Sequence, residues 1–206
     1  MAKLDLKRDY RQLYNPSPKE CSIVEVPELQ FLMVNGAGDP NTSVAYAEAI
    51  EALYAMSYTL KFISKEKASV DYTVMPLEGL WWIPNMAEFS MEDKSAWEWT
   101  AMMVQPEHIT ADLVATATDE VRMKKDPPAL DRVRFERYRE GLAVQIMYFG
   151  PYADEAPTIE RLHQFAIDRG YQLRGKHHEI YLSDPRRTAP ENLRTVIRQP
   201  VGAQTE

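Results

Sequence analysis

The segment that decides the fold is GKHHEIYLSD, residues 175–184 of the 206-residue chain. Because side chains alternate between the two faces of a β-strand, Ile180 and Leu182 share one face, and Glu179 and Tyr181 share the other. The pattern predicts a strand with an apolar face for the core and a carboxylate beside a phenol on the opposite face. Such a pair is also ordinary on the solvent side of an edge strand, so the segment alone supports either a site or a solvated surface.

Composition places the chain among soluble globular proteins. Hydrophobic residues make up 45% and charged residues 27%, and no apolar run approaches the roughly 20 residues that a membrane helix needs. The chain begins with a polar segment rather than a secretory signal, and its single cysteine, Cys21, cannot form an internal disulfide. We therefore expect a cytoplasmic protein with no membrane partner.

Charge and residue supply disfavour several classes of function. The net charge is −7 and the pI is near 5.2, which disfavours a nucleic-acid partner because binding to phosphates depends on Lys and Arg. His177, His178 and Glu179 invite a metal interpretation, but adjacent strand residues point to opposite faces and do not converge. No serine lies in a nucleophile-elbow pattern. We expect neither a metal nor a cofactor.

The first half of the chain is predicted as a strand, a helix and two further strands. These elements span, in order, residues 22–35, 42–64, 68–84 and 97–106, with a loop at residues 85–94. A second helix is predicted over residues 110–124. On the first helix, Tyr54, Tyr58 and Phe62 form an apolar row beside the core stripe, and this row either joins the core or faces a cavity.

The second half repeats the same order of elements. Strand patterns flank a turn at Glu140-Gly141, and a helix and two strands follow; their residues are 133–138, 143–149, 154–169, 175–184 and 193–199. The repeat predicts a single domain over residues 21–201 made of two β-α-β-β units, at about residues 22–106 and 132–200. An N-terminal arm over residues 1–20 and a tail over residues 202–206 complete the chain.

We therefore predict an α+β fold in which the two units form one antiparallel sheet with two long helices on one face. The other face is left open as a groove. Parity places Glu179 and Tyr181 in this groove, and the match between LEGL at residues 77–80 and HEIY at residues 178–181 adds Glu78. The other candidates for its wall are aromatic: Tyr148, Trp81, Trp82, Trp97 and Trp99.

An aromatic wall around a carboxylate suits a planar hydrophobic small molecule, including a cationic one. Trp and Tyr provide stacking area, and a partly desolvated Glu attracts positive charge or takes up a proton. Which of Trp81 and Trp82 faces the groove depends on the register, because a shift of one residue inverts every side chain.

The chain resembles the GyrI-like small-molecule-binding domains, which are related to the effector domains of multidrug-sensing regulators and to the gyrase-inhibitory protein. The resemblance covers residues 22–200 and is closest to the stand-alone subgroup. It rests on VNGAGDP (34–40), PLEGLWW (76–82), EG (140–141), QIMYFGPY (145–152), HHEIYLSD (177–184) and RQP (198–200). No segment is left over for a helix-turn-helix.

The resemblance implies a duplicated fold with a central groove, in which a buried Glu, here Glu179, recognises hydrophobic and often cationic compounds. Some stand-alone members are hydrolases that open the cyclopropane of DNA-alkylating natural products. The subgroup has His where this chain has Tyr148, which leaves proton transfer at that position in doubt.

Three functions stay open at this point. The chain is a non-catalytic binding or sensing module, an enzyme, or an interaction partner of a large protein such as gyrase. In the enzyme, Glu179 assists the addition of water while Tyr181 or Tyr148 donates a hydrogen bond to the developing charge. The sequence does not decide between a monomer and a homodimer.

Overall fold

A computed structural model describes residues 3–86 and 94–203 and shows an α+β protein built on an antiparallel sheet. The helices are α1 (Leu6–Asp9), α2 (Arg11–Tyr14), α3 (Val44–Lys67), α4 (Ala111–Lys124) and α5 (Ala156–Asp168). The strands are β1 (Ser22–Ala37), β2 (Leu77–Trp82), β3 (Glu98–Gln105), β4 (Arg134–Phe149), β5 (Tyr171–Leu173), β6 (His177–Tyr181) and β7 (Arg194–Ala203). Most of the loop expected at 85–94 and the end of the expected tail lie outside the described residues.

The sheet closes into a barrel. Its strands follow the order β4-β1-β3-β2-β6-β7, and β4 also pairs with β7, which completes the circle. The order strand, helix, strand, strand occurs twice along the chain, first as β1-α3-β2-β3 and then as β4-α5-β6-β7, with β5 inserted before β6. The β2–β6 pair joins the two series, and Gly79 lies opposite Glu179 in it.

Strand β4 is continuous, although the sequence predicted two strands around a turn at Glu140-Gly141. The turn prediction is wrong because both parts of β4 pair with the same long partner, β1. Gly141 has a φ of +74°, a conformation that glycine adopts readily, and the register of β4 with β1 continues unshifted through it. Residues 143–149 pair with β7 as well.

Both faces of the barrel wall are covered by apolar side chains. Helices α3 and α4 pack outside, over residues of β1 and β3 such as Leu32 and Met103. Helix α5 packs outside over β4 and β7, with Leu162 against Ile146 and Ile197. The lumen has its own core, since eight-stranded or smaller barrels are filled by side chains.

The N-terminal arm helps to fill the lumen. Leu13 and Tyr14 of α2 are buried in the inner core, and the guanidinium of Arg198 donates a hydrogen bond to the carbonyl of Leu13. At the other end of the chain, β7 extends to Ala203 and its last residues pair with β5. This pairing corrects the expectation of a tail from residue 202, because Gly202 and Ala203 have a strand partner.

Within the described ranges, none of the helices is both long and apolar enough to cross a bilayer.

Candidate functional site

A cavity of about 1230 Å³ lies between α3 and the start of α5, above the β2–β6 pair. Trp81 comes from β2, and Glu179 and Tyr181 come from β6. Tyr46 lines the cavity from α3, and Glu155 lines it from the residue that precedes α5. The cavity therefore lies at the junction of the two series of elements.

Glu179 is the buried carboxylate of the cavity, with only 4% of its surface exposed. Its Oε1 lies 3.1 Å from His177 Nε2, and its Oε2 accepts a hydrogen bond of 2.8 Å from the Tyr181 hydroxyl. Burial alone would raise the pKa of Glu179, but the hydrogen bonds from His177, Tyr181 and Glu155 outweigh it and lower the pKa. Glu179 is therefore ionised at neutral pH.

Glu155 is a second buried carboxyl group in the same cavity, and the sequence analysis did not find it. It is 1% exposed and hydrogen-bonded to Glu179. Burial, followed by repulsion from Glu179, raises the pKa of Glu155 to about 10. At neutral pH the pair therefore consists of one protonated and one ionised group.

One oxygen of this pair is buried without a partner in the described part of the chain. Among the described residues, Glu155 Oε2 has no hydrogen-bond partner.

The only sequence signal for Glu155 was an acidic residue before the Ala156-Pro157 helix start, and acidic residues are ordinary at helix N-termini.

Aromatic rings form the wall around the two carboxyl groups. Trp81 is the central ring: its centroid lies 5.5 Å from that of Tyr46 and 5.3 Å from that of Trp97. Its indole Nε1 donates a hydrogen bond of 3.1 Å to the Tyr181 hydroxyl. Tyr152 meets Tyr181 edge to face at 5.4 Å. These contacts hold the wall in one arrangement.

The cavity lies on the helix-bearing side of the sheet, and the prediction of a groove on the opposite side is wrong. Glu179, Tyr181 and Trp81 share the outer face with α3, whereas Ile180 and Leu182 point into the lumen. The physical reason is closure, because a closed barrel fills its inner face with side chains and leaves open space only between the helices outside.

Three predicted site residues do not line the cavity. Glu78 lies opposite Ile180 rather than Glu179 and therefore points into the lumen. Trp82 shares that parity, and its ring stacks under Lys176 Nζ at 3.2 Å. Tyr148 is on the outer face, but it packs with the α5 core and donates its hydroxyl to the carbonyl of Pro151.

Two further aromatic predictions have different outcomes. Trp97 lines the cavity, and Lys94 Nζ lies 4.7 Å from the centroid of its ring. Trp99 is fully buried behind the wall, with Tyr46 against it at 4.9 Å. The two rings share one face and differ in position, since Trp97 lies just before β3 and Trp99 lies within it.

The lumen carries a separate charged network around His178. Its Nε2 lies 3.1 Å from Glu78 Oε2, and its Nδ1 lies 2.9 Å from Glu140 Oε1. Arg198 also donates to Glu140, at 3.1 Å, and the hydroxyl of Tyr14 donates to Glu78 at 3.0 Å. The network thus connects the N-terminal arm to luminal side chains of β2, β4, β6 and β7.

Charge pairing governs the pKa values in this network. Burial opposes a charge on His178, but Glu140 and Glu78 outweigh it and raise the pKa of His178 to about 9. Burial likewise opposes ionisation of Glu140, but His178 and Arg198 outweigh it and lower the pKa of Glu140 to about 2. His178 and Glu140 are therefore both charged at neutral pH.

The chemistry of the cavity follows from its carboxyl pair. An ionised Glu179 attracts a cation, and the proton that Glu155 shares in its hydrogen bond to Glu179 is the acidic proton of the pair. Within residues 3–86 and 94–203, no group of three or more His, Cys, Asp or Glu side chains converges as a metal site would require.

Comparison with known proteins gives the chain its relatives. A conserved protein of unknown function from Listeria innocua is 38% identical, with a TM-score of 0.90 over 97% of this chain and 100% of that one. A hydrolase from Listeria innocua is 37% identical, with a TM-score of 0.87 over 98% of this chain and 100% of that one. A comparison with curated proteins found no significant match.

The fold extends to more distant proteins. The C-terminal domain of EcmrR is 14% identical, with a TM-score of 0.56 over 90% of this chain and 98% of that one, and so shares the fold. The model of the GyrI-like small molecule binding domain matches residues 19–201, which run from β1 to most of β7 and include the outer helices α3, α4 and α5. The chain therefore belongs to the GyrI-like family of small-molecule-binding domains.

Proposed function

We propose that the protein binds planar hydrophobic cations in the cavity between α3 and α5, with Glu179 as the charged anchor. The observation that carries the proposal is a carboxylate with 4% exposure that opens onto a large aromatic cavity. Such a carboxylate has few water contacts, and a cation that enters the cavity can compensate its charge. Trp81, Trp97 and Tyr46 supply faces for stacking and for cation–π contact.

The architecture supports this proposal. We take the two series of elements as duplicated β-α-β-β units, so that the cavity lies at their junction. Each series supplies part of the wall, because Trp81 belongs to the first and Glu179 to the second. Ligand sites in proteins are commonly preformed clefts of this kind, apolar with a few convergent polar groups.

The proposal is tested by titrating the purified protein with N-methylacridinium, a permanent aromatic cation. Because Trp81 and Trp97 form the wall, binding should quench tryptophan fluorescence and saturate at one probe per chain. Glu179→Gln should weaken binding about tenfold or more, since a buried charge pair is lost. Glu136→Gln is the matched control, because Glu136 is an exposed residue paired with Arg134. Absence of saturable quenching by the wild type would reject the proposal.

A second candidate function is hydrolysis, specifically the opening of a cyclopropane conjugated to a carbonyl. Two observations favour it: the cavity holds one protonated and one ionised carboxyl group, and a similar protein is named a hydrolase. In this reaction the oxygen of water attacks a ring carbon, and the C–C bond breaks toward the carbonyl. Glu155 gives its proton to the carbonyl oxygen, and the carboxyl pair regains a proton from the attacking water.

Mass spectrometry distinguishes this reaction from binding alone. The protein is incubated with a cyclopropane-containing alkylating compound, and a product heavier by one water is expected above the buffer background. Glu155→Gln should abolish the product but retain binding of the cation, because only the transferable proton is lost. If the wild type forms no hydrate, the hydrolase candidate is rejected and the binding function is unaffected.

A further inference from the structure

An exposed aromatic row runs along α3, away from the carboxyl pair. Tyr54, Tyr58 and Phe62 are 36%, 50% and 58% exposed, and the rings of Tyr54 and Tyr58 stack at 6.3 Å with an interplanar angle of 25°. Contiguous exposed aromatic side chains are uncommon on soluble monomers and mark binding surfaces. The spacing of four residues keeps the three rings on one face of the helix.

The row is continuous with the cavity. All three residues line the same cavity as Glu179, and so do segments 74–77 and 182–186. The 182–186 segment lies close to the row, because Asp184 and Arg186 both act electrostatically on the Tyr54 hydroxyl. The row therefore lines the far part of the same cavity and is not a separate patch.

The cavity is larger than a ligand with a single fused ring system requires. The cavity of about 1230 Å³ is larger than the roughly 300–1,000 Å³ of sites for drug-sized ligands. Tyr46 and Phe62 both line the cavity, and α3 rises about 24 Å from one to the other. The Tyr46 end lies near the charged pair, since Glu179 acts electrostatically on the Tyr46 hydroxyl.

We propose that Tyr54, Tyr58 and Phe62 form a second subsite that takes an apolar planar extension of the ligand. The ligand class is then an elongated molecule with a cationic planar head against Glu179 and an uncharged aromatic tail along α3. This inference rests on the proposed binding function and adds a length requirement to it. The tail gains affinity from stacking and from the burial of rings that are otherwise exposed.

A pair of probes tests the subsite. The short probe is N-methylacridinium, and the long probe is the same cation with a biphenyl extension on its central ring. We expect the wild type to bind the long probe at least tenfold more tightly. Tyr58→Ala and Phe62→Ala should each weaken the long probe about fivefold and leave the short probe unchanged. Both side chains are half-exposed, so their truncation leaves the core intact.

Phe149→Ala is the matched control, because Phe149 is 51% exposed and lies on β4 outside the cavity. Equal affinity of the two probes for the wild type, or equal losses for both probes in the variants, overturns the subsite but leaves the binding function standing. Failure of both probes to bind the wild type overturns both proposals. A second copy of the chain is the remaining possible occupant of the aromatic row, and sedimentation tests for it. If the wild type is a dimer and Phe62→Ala is a monomer, the subsite is also overturned.

Discussion

The hydroxyl of Tyr181 donates a 2.8 Å hydrogen bond to Oε2 of Glu179, two residues earlier on the same strand. The same hydroxyl accepts a hydrogen bond from the indole of Trp81. The wall of the cavity and its charged group are therefore one connected unit. A change at Tyr181 should alter the charge of Glu179 without altering the shape of the barrel.

Tyr181→Phe should move the acid limit of cation binding to higher pH. The Tyr181 hydroxyl favours the ionised form of Glu179 through its hydrogen bond, so removal of the hydroxyl raises the pKa of Glu179. Binding is lost as pH falls through that pKa, and the variant should lose it earlier. The check is the Kd of N-methylacridinium across the acidic range.

Tyr148→Phe serves as the control for this experiment, because Tyr148 donates to the Pro151 carbonyl outside the cavity. Its pH profile should match that of the wild type. Identical profiles for Tyr181→Phe and the wild type would show that the hydroxyl does not set the charge of Glu179.

Glu155→Gln should stabilise the protein, increasingly so as pH rises. The folded-state pKa of Glu155 is raised from 4.5 to about 10, so the folded state holds a proton that the unfolded chain has lost. Stability therefore falls with rising pH between these values, and Gln removes the dependence. We expect the variant to gain on the order of 2 kcal/mol at neutral pH.

Thermal unfolding of both proteins across this range measures the effect. The difference in Tm between variant and wild type should widen steadily from acid to alkaline pH. A constant difference, or a variant that is less stable throughout, contradicts a protonated Glu155.

His178→Gln should be strongly destabilising, by about 3–5 kcal/mol in chemical denaturation at neutral pH. The reason is that Glu78 and Glu140 would remain buried without their shared cation. Lys176→Gln is the control on the same segment, since its amine lies over the ring of the partly buried Trp82. A loss below 1 kcal/mol for His178→Gln would show that the luminal carboxylates do not depend on His178.

The same network predicts a pH optimum of stability. The pKa of His178 is raised from 6.5 to about 9. Its contribution to the stability of the fold is therefore complete below pH 6.5 and is lost as the pH rises to about 9. The pKa of Glu140 is lowered from 4.5 to about 2. Its contribution to the stability of the fold is therefore lost as the pH falls from 4.5 to about 2. The Glu155→Gln variant lacks the cavity proton, and its free energy of unfolding should be highest between pH 4.5 and pH 6.5. A free energy of unfolding that still rises above pH 6.5 would contradict this prediction.

Gly79→Ala should disturb the cavity wall from below. A Cβ at position 79 would lie 2.8 Å from the Trp81 indole nitrogen, closer than real contacts allow, so Trp81 has to move. We expect a destabilisation of about 1–3 kcal/mol and weaker binding of the cation. Gly202→Ala is the control, because its Cβ would meet Arg174 at an ordinary 3.6 Å. Equal effects of the two substitutions would show that Trp81 is not held by Gly79.

The sequence predicted the elements and the central acid, but it did not predict which side of the sheet holds the site. Period-two parity correctly joined Glu179 with Tyr181 and separated both from Ile180, because the alternation is a property of the strand itself. Parity cannot say which face carries the helices. Barrel closure, which decides that question, depends on the distant pairing of β4 with β7.

Two errors at individual residues have the same origin in tertiary structure. Glu78 matched Glu179 by local sequence, but the β2–β6 register sets Gly79 opposite Glu179 and turns Glu78 inward. Glu155 was missed because nothing local distinguishes it from an ordinary acidic residue at a helix start. Its unusual protonation arises only from its approach to Glu179, which comes from another element.

The most direct test of the central claim compares a cation with a neutral molecule of the same shape. N-methylacridinium is permanently charged, and acridine is uncharged at mildly alkaline pH. We expect the wild type to prefer the cation by about tenfold or more, and we expect Glu179→Gln to abolish the preference by weakening only the binding of the cation. Equal affinities of the wild type for the two molecules, or a preference that survives in Glu179→Gln, would contradict a role of Glu179 as the charged anchor.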